Sequence, residues 1–174
     1  MEIILIRHGK PESATNPLVT SGGYANWVRR YNQSSVACDS RPPSQLRDRL
    51  NNHYIVSSDL RRAVESAEIC SGQTPKEKHP ILREMDIPRY RMPFKFRAWT
   101  WLYLSRFLWT LGVKGTFESY KEARLRSKTA CQKLIQLACK HDKIVVFGHG
   151  YMNLHIRKEL ISNGWSMSEK SNKY

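Results

Sequence analysis

A chain of 174 residues is long enough for one ordinary domain with a real core and short for two, and 40% hydrophobic against 25% charged residues sets aside a disordered or fibrous chain. Twenty-nine Lys and Arg against 15 Asp and Glu give a net charge of +14, which favours anionic partners: phosphorylated small molecules, nucleic acid or an acidic membrane surface. Cys38, Cys70, Cys131 and Cys139 show no CxxC or metal-ligand spacing and no signal peptide precedes them, so they read as reduced thiols of a cytoplasmic protein.

The first element is a short β-branched apolar run, Ile3 to Ile6, which reads as a buried strand and stops at Arg7-His8-Gly9. A polar loop follows. Tyr24, Trp27, Val28 and Tyr31 then recur at helical spacing and predict a helix over about 22–32. Leu46 and Leu50 suggest a short helix near 44–51. Tyr54-Ile55-Val56 is a second strand, ending in Ser57-Ser58-Asp59. The helical period of Leu60, Ala63, Ala67 and Cys70 comes next, with Ser58 or Asp59 as its expected cap. Arg61 and Arg62 sit in the first turn of that helix, where an anionic partner would favour them.

Ile81-Leu82 reads as a strand stub, followed by Glu84 and Asp86. The stretch 94–113 is apolar almost all round, interrupted by Lys95, Arg97 and Arg106. Its longest uncharged piece, Ala98 to Ser105, is far below the ~20 residues that cross a bilayer. Such a basic aromatic helix could lie on a membrane or a nucleic acid, but a cover over the sheet or the site mouth is the simpler reading. A long amphipathic helix opens at Gly115 to Ser119, with Cys131 and Cys139 on its pattern as core or near-core residues. Lys143 to Gly150 is the strongest strand signal, again ending in a histidine, His149, between glycines. A last helix and a polar tail from Ser162 complete the chain.

In a parallel sheet, strand carboxyl ends share one edge. Arg7, His8, Arg62 and His149 would then surround one pocket, with Glu84 at the end of the third apolar stub. Guanidiniums match phosphate oxygens, a neutral imidazole is a nucleophile near pH 7, and a carboxyl group moves protons. The set points to phosphoryl transfer through a phosphorylated histidine. A metal site fits poorly, because the guanidiniums would repel the cation.

LIRHGKPE resembles the opening motif of the histidine phosphatase superfamily, the phosphoglycerate mutase-like fold. SSDLRRAVESA resembles its second-arginine segment and points to Arg62 rather than Arg61. ILRE resembles the proton-donor segment and points to Glu84, with Asp86 as the alternative acid. GTFESYKEARLR and VVFGHG resemble the Gly-Glu-Ser helix start and the second-histidine motif, giving His149. The pieces run in family order over most of the chain.

The resemblance implies an α/β three-layer sandwich with a mostly parallel central sheet flanked by helices. It implies a single domain over 1–174, with a basic aromatic helical insertion or lid at about 88–114. His8 is the implied nucleophile, and Glu84 the acid and then base. Arg7, Arg62 and His149 hold the phosphoryl oxygens, the Gly150 N–H donates to the anion, and Ser13 is a candidate lining residue. No cofactor or metal is implied, the partner is a phosphorylated small molecule, and neither a nucleic acid nor a membrane span is expected.

Departures from the family pattern concern the substrate. MDIPRYRMPFKF replaces the aromatic-glycine run that often follows the Glu motif, so the substrate-facing segment is this chain's own. The short chain favours a phosphatase over a mutase. A phosphohistidine phosphatase of the same fold and a non-catalytic anion- or nucleic-acid-binding module stay open as alternatives. The closing strand common after the second-histidine helix is not legible before Lys173-Tyr174.

Overall fold

The computed structural model describes residues 1–169. The branched apolar run forms β1 (Glu2–Arg7), and a ribbon strand β2 (Leu18–Thr20) leads into α1 (Ser21–Gln33), capped by Thr20 accepting the Gly23 N–H at 3.2 Å. Then come α2 (Leu46–Leu50), β3 (Tyr54–Ser57) and α3 (Arg61–Ser71), which ends on Gly72 at φ 71° as a left-handed cap requires. A two-residue β4 (Glu77–Lys78) precedes a 3₁₀ turn at Pro80–Leu82. The second half comprises β5 (Lys95–Arg97), α4 (Ala98–Thr110), α5 (Tyr120–His141), β6 (Lys143–Gly148) and α6 (Gly150–Ser162).

Four strands form one parallel sheet in the order β1-β6-β3-β4. Alternation sorts their side chains onto two faces. Ile3, Leu5, Val56, Ile144 and Val146 pack with α5 and α6 through Leu134, Ala138, Met152 and Ile156. Ile4, Ile6, Ile55, Val145 and Phe147 pack on the other face with Leu50 of α2 and Ala67 of α3. The result is a three-layer α/β sandwich.

The stretch 94–113 divides between β5 and α4. β5 pairs antiparallel with β2, and α4 packs on α1, where Tyr24, Trp27, Tyr31 and Trp101 make a small aromatic core with Tyr24 and Trp101 stacked at 5.6 Å. Trp109, one face further along α4, is buried in the sheet-side core instead.

Some local expectations change. The stub at Ile81-Leu82 is not a strand: Pro80, which lacks an N–H and has a fixed φ, starts a 3₁₀ turn there, and the pairing falls earlier, at Glu77–Lys78. α5 starts at Tyr120, because Ser119 and Glu122 form a reciprocal capping box. Neither Ser58 nor Asp59 caps α3. Its N-cap is Leu60, since Asp59 is held by Arg83 at 2.7 and 2.5 Å. Cys131 is buried but Cys139 is exposed, on the solvent face of α5. Among the described residues no helix is long and apolar enough to cross a membrane. Lys173 and Tyr174, before which no closing strand is legible in the sequence, lie outside the described residues.

Candidate active site

The pairing of β1 with β6 places Arg7 opposite Gly148, and the His8 N–H donates to the Gly148 carbonyl at 3.0 Å. His8 and His149 therefore leave adjacent strand ends side by side, their ring centroids 5.0 Å apart. Arg62, in the first turn of α3, enters between them fully buried. Its Nε–H donates to His8 Nε2 at 3.2 Å, and its Nη2 lies 3.4 Å from His149 Nδ1. Nη1 donates to the Tyr31 and Asn32 carbonyls at the end of α1, 3.2 and 3.0 Å away, and the guanidinium lies over the Tyr31 ring.

These contacts fix the proton positions on both rings. A guanidinium only donates, so His8 Nε2 must accept, and the proton sits on Nδ1, where it reaches the Gly9 carbonyl at 2.7 Å. His149 likewise accepts on Nδ1 and carries its proton on Nε2. That Nε2 is buried and makes no hydrogen bond among the described residues. Burial first, and then the Arg62 charge, lowers His8 to about 3 and His149 to about 2, so both rings are neutral at any physiological pH.

Gly9 is needed for packing. A Cβ there would lie 2.5 Å from Ser40 Oγ and 2.9 Å from Val36 Cγ1, because the loop at 36–40 crosses directly over it. That loop is tied down by Lys10 N–H to Ser40 Oγ and by Val36 N–H to Glu65. Below, the Gly9 N–H donates to Ser66 Oγ, and Ser66 Oγ donates to the Arg62 carbonyl.

Glu84 reaches the same region from the irregular segment after the 3₁₀ turn. Its Oε1 accepts from the Met85 and Met152 N–H groups at 3.0 and 2.9 Å, and its Oε2 from the Tyr151 N–H at 3.2 Å. The carboxyl group thus sits on the positive end of α6, one turn from His149. It lines a cavity of about 420 Å³ shared with Asn32, Leu60, Arg83 and Arg126. Asp86 lines this cavity too, but its carboxylate faces Arg89 at 3.5 Å and the Glu118 N–H at 3.4 Å.

Arg7 is exposed at the end of β1 and runs over the start of α6: a Cβ on Gly150 would lie 3.4 Å from its Nε. Ser13 is not part of this group. Its Oγ is buried in a separate hollow of about 460 Å³, with Arg30, Ser34 and Arg61 among its walls. Arg61 itself points outward to Glu65 at 2.7 Å.

Two arginines that no sequence motif points to hold the Glu84 segment. Arg126 of α5 donates to the Ile81, Arg83 and Glu84 carbonyls and makes a two-pronged pair with Glu118 at 2.7 Å. Arg106 of α4 donates to the Met85 and Asp86 carbonyls at 2.8 and 2.9 Å, its guanidinium lying over Trp109 and Tyr151. A lone cation in so apolar a helix was the available signal, since a half-buried guanidinium must find acceptors.

A family model for the histidine phosphatase superfamily (branch 1) matches residues 41–170. The chain belongs to that superfamily. Arg7 and His8 precede the matched stretch, and strand pairing joins them to it. No curated protein matches the chain. Among solved structures it is similar to a candidate α-ribazole-5′-P phosphatase from Escherichia coli, with a TM-score of 0.63 and 16% identity over 92% of this chain and 79% of that one. It is also similar to phosphoglycerate mutase from Thermus thermophilus, with a TM-score of 0.54 and 24% identity over 87% and 80% of the two chains. A mutant phosphoserine phosphatase from Entamoeba histolytica in complex with phosphoserine gives 0.54 and 16% over 92% and 79%. At such identities the likeness speaks for the phosphoglycerate mutase-like fold.

Proposed function

We propose that this protein is a metal-independent phosphatase that hydrolyses a small phosphomonoester through a phosphohistidine on His8. The observation that carries the reading is the Arg62 bridge. One guanidinium holds the lone pair of His8 Nε2 in place while Gly9 fixes the proton on the far side of the ring. An arriving phosphoryl oxygen is a stronger acceptor than a neutral imidazole, so it takes over the Arg62 N–H and frees Nε2 to attack phosphorus. The P–O bond to the alcohol breaks as the N–P bond forms.

Arg7, Arg62 and the unpaired N–H on His149 Nε2 stabilise the charge that builds on the transferring group, which is why no metal is required. Glu84 Oε2 accepts one backbone N–H and keeps a lone pair for the proton. In its acid form Glu84 protonates the leaving oxygen; as carboxylate it then takes a proton from the water that attacks phosphohistidine. The cavity beside Glu84 suits the alcohol part of a small molecule, which supports a metabolite over a folded phosphoprotein. The insertion at about 88–114 braces this site from behind, through the Arg106 contacts with the Glu84 segment.

The test is covalent trapping. Brief incubation with ³²P-labelled phosphomonoesters should leave acid-labile phosphate on the wild-type protein and none on His8→Ala. Equal labelling of the two would refute the assignment of the nucleophile.

A further inference from the structure

We propose that the outward face of α4 docks on an anionic lipid membrane. One side of the helix is turned into the protein through Ala98, Trp101, Ser105 and Trp109. On the other side Tyr103, Phe107 and Leu111 recur at four-residue intervals, 70, 60 and 65% exposed, and Val113 follows them. Single exposed apolar residues are ordinary, but a continuous stripe along a helix marks an interaction surface.

The surrounding charge selects the partner. From Ile87 to Phe117 the chain carries six Lys and Arg and no Asp or Glu. Arg91, Lys95, Arg97 and Lys114 are exposed, with Arg97 at the N-cap of α4 and Lys114 just beyond its end. An aromatic and aliphatic stripe between cations, with no acid near it in the chain, complements anionic headgroups above an acyl layer. A second copy of this chain would bring the exposed cations of two such stretches together, against like-charge repulsion. A nucleic acid strand would find the cations and the Tyr103 and Phe107 rings, but Leu111 and Val113 give a base no ring to stack on and would leave that part of the stripe uncovered. At 13 residues the helix lies in the membrane plane and does not span.

The experiment is vesicle co-sedimentation of the full chain with phosphatidylcholine vesicles, with and without one-third phosphatidylserine, at low and high salt. Binding should require phosphatidylserine and weaken about tenfold or more at high salt. Phe107→Ser with Leu111→Ser, both at exposed positions, should cut binding about tenfold with the melting temperature kept. Lys95→Gln with Lys114→Gln tests the charged half separately and should lower binding to anionic vesicles. Failure to sediment with anionic vesicles, or binding that neither double variant weakens, would overturn the proposal. So would concentration-dependent dimers that the Phe107→Ser, Leu111→Ser variant abolishes, or a preference for a single-stranded oligonucleotide lost in the same variant.

Discussion

Acid should unfold this protein through His8 and His149. Both rings are held neutral in the fold, His8 lowered to about 3 and His149 to about 2 from an ordinary value of 6.5, burial being the larger cause and Arg62 the next. Below pH 6.5 the unfolded chain binds a proton at each ring that the folded chain refuses, so acid favours the unfolded state. This stability is fully present above pH 6.5 and is lost as pH falls toward the folded values. At about pH 4.5 each ring has cost two pH units, which for the pair comes to about 5 kcal/mol. That is comparable to the whole stability of a small domain, ~5–15 kcal/mol.

The assay is urea unfolding at about pH 8 and about pH 4.5 on wild type and on the double variant His8→Gln, His149→Gln. The pH-dependent loss, and not the absolute stability, is the quantity compared. Other groups, His155 among them with its value also lowered mainly by burial, contribute equally to both proteins and cancel. Wild type should lose about 5 kcal/mol more than the variant over this range. Equal losses would show that the buried histidines are not the acid-sensitive groups.

Arg62→Ala should lower the rate by about 10²–10³, as removal of one preorganised donor does, whereas Arg61→Ala, exposed and paired with Glu65, should change it little; comparing kcat of the two decides between them. Glu84→Gln should slow hydrolysis of an alkyl phosphate far more than that of p-nitrophenyl phosphate, whose leaving group needs no proton. Asp86→Asn is the matched control, and a leaving-group dependence found there instead would move the proton donor to Asp86. Gly9→Ala should cost roughly 1–3 kcal/mol in urea unfolding by pushing the 36–40 loop away, and should slow catalysis by shifting the carbonyl that holds His8 Nδ1.

Much of this arrangement was legible because it is written in local patterns. Ile3 to Ile6 and Ile144 to Phe147 read as strands from a few adjacent residues, and a parallel sheet sends their polar ends, Arg7-His8 and His149, to one edge. The Glu84 segment was harder to read because it has no period: its carbonyls are satisfied by Arg106 and Arg126, from two helices further along the chain. In the sequence Gly9 only marks where the first strand stops, and its need for a missing Cβ comes from Ser40 and Val36, which only the folded loop brings over it. Ser13 lies close to His8 in sequence, yet Lys10, Pro11 and Glu12 pair with the 35–40 loop and carry it into another hollow. Cys139 followed a helical pattern too broad to show which side of α5 faced water.

The strand order has a consequence for biosynthesis. Among the described strands, β1 has one neighbour, β6, which is the last strand of the sheet to leave the ribosome. Until then Ile3 to Ile6 is an apolar segment with both hydrogen-bonding edges unpaired, the kind that seeds aggregation and calls on chaperones. Closing so long a loop also delays folding. Since His8 follows β1 and His149 follows β6, a nascent chain that still lacks β6 has only one of the two rings, and the pair assembles only once β1 and β6 have joined.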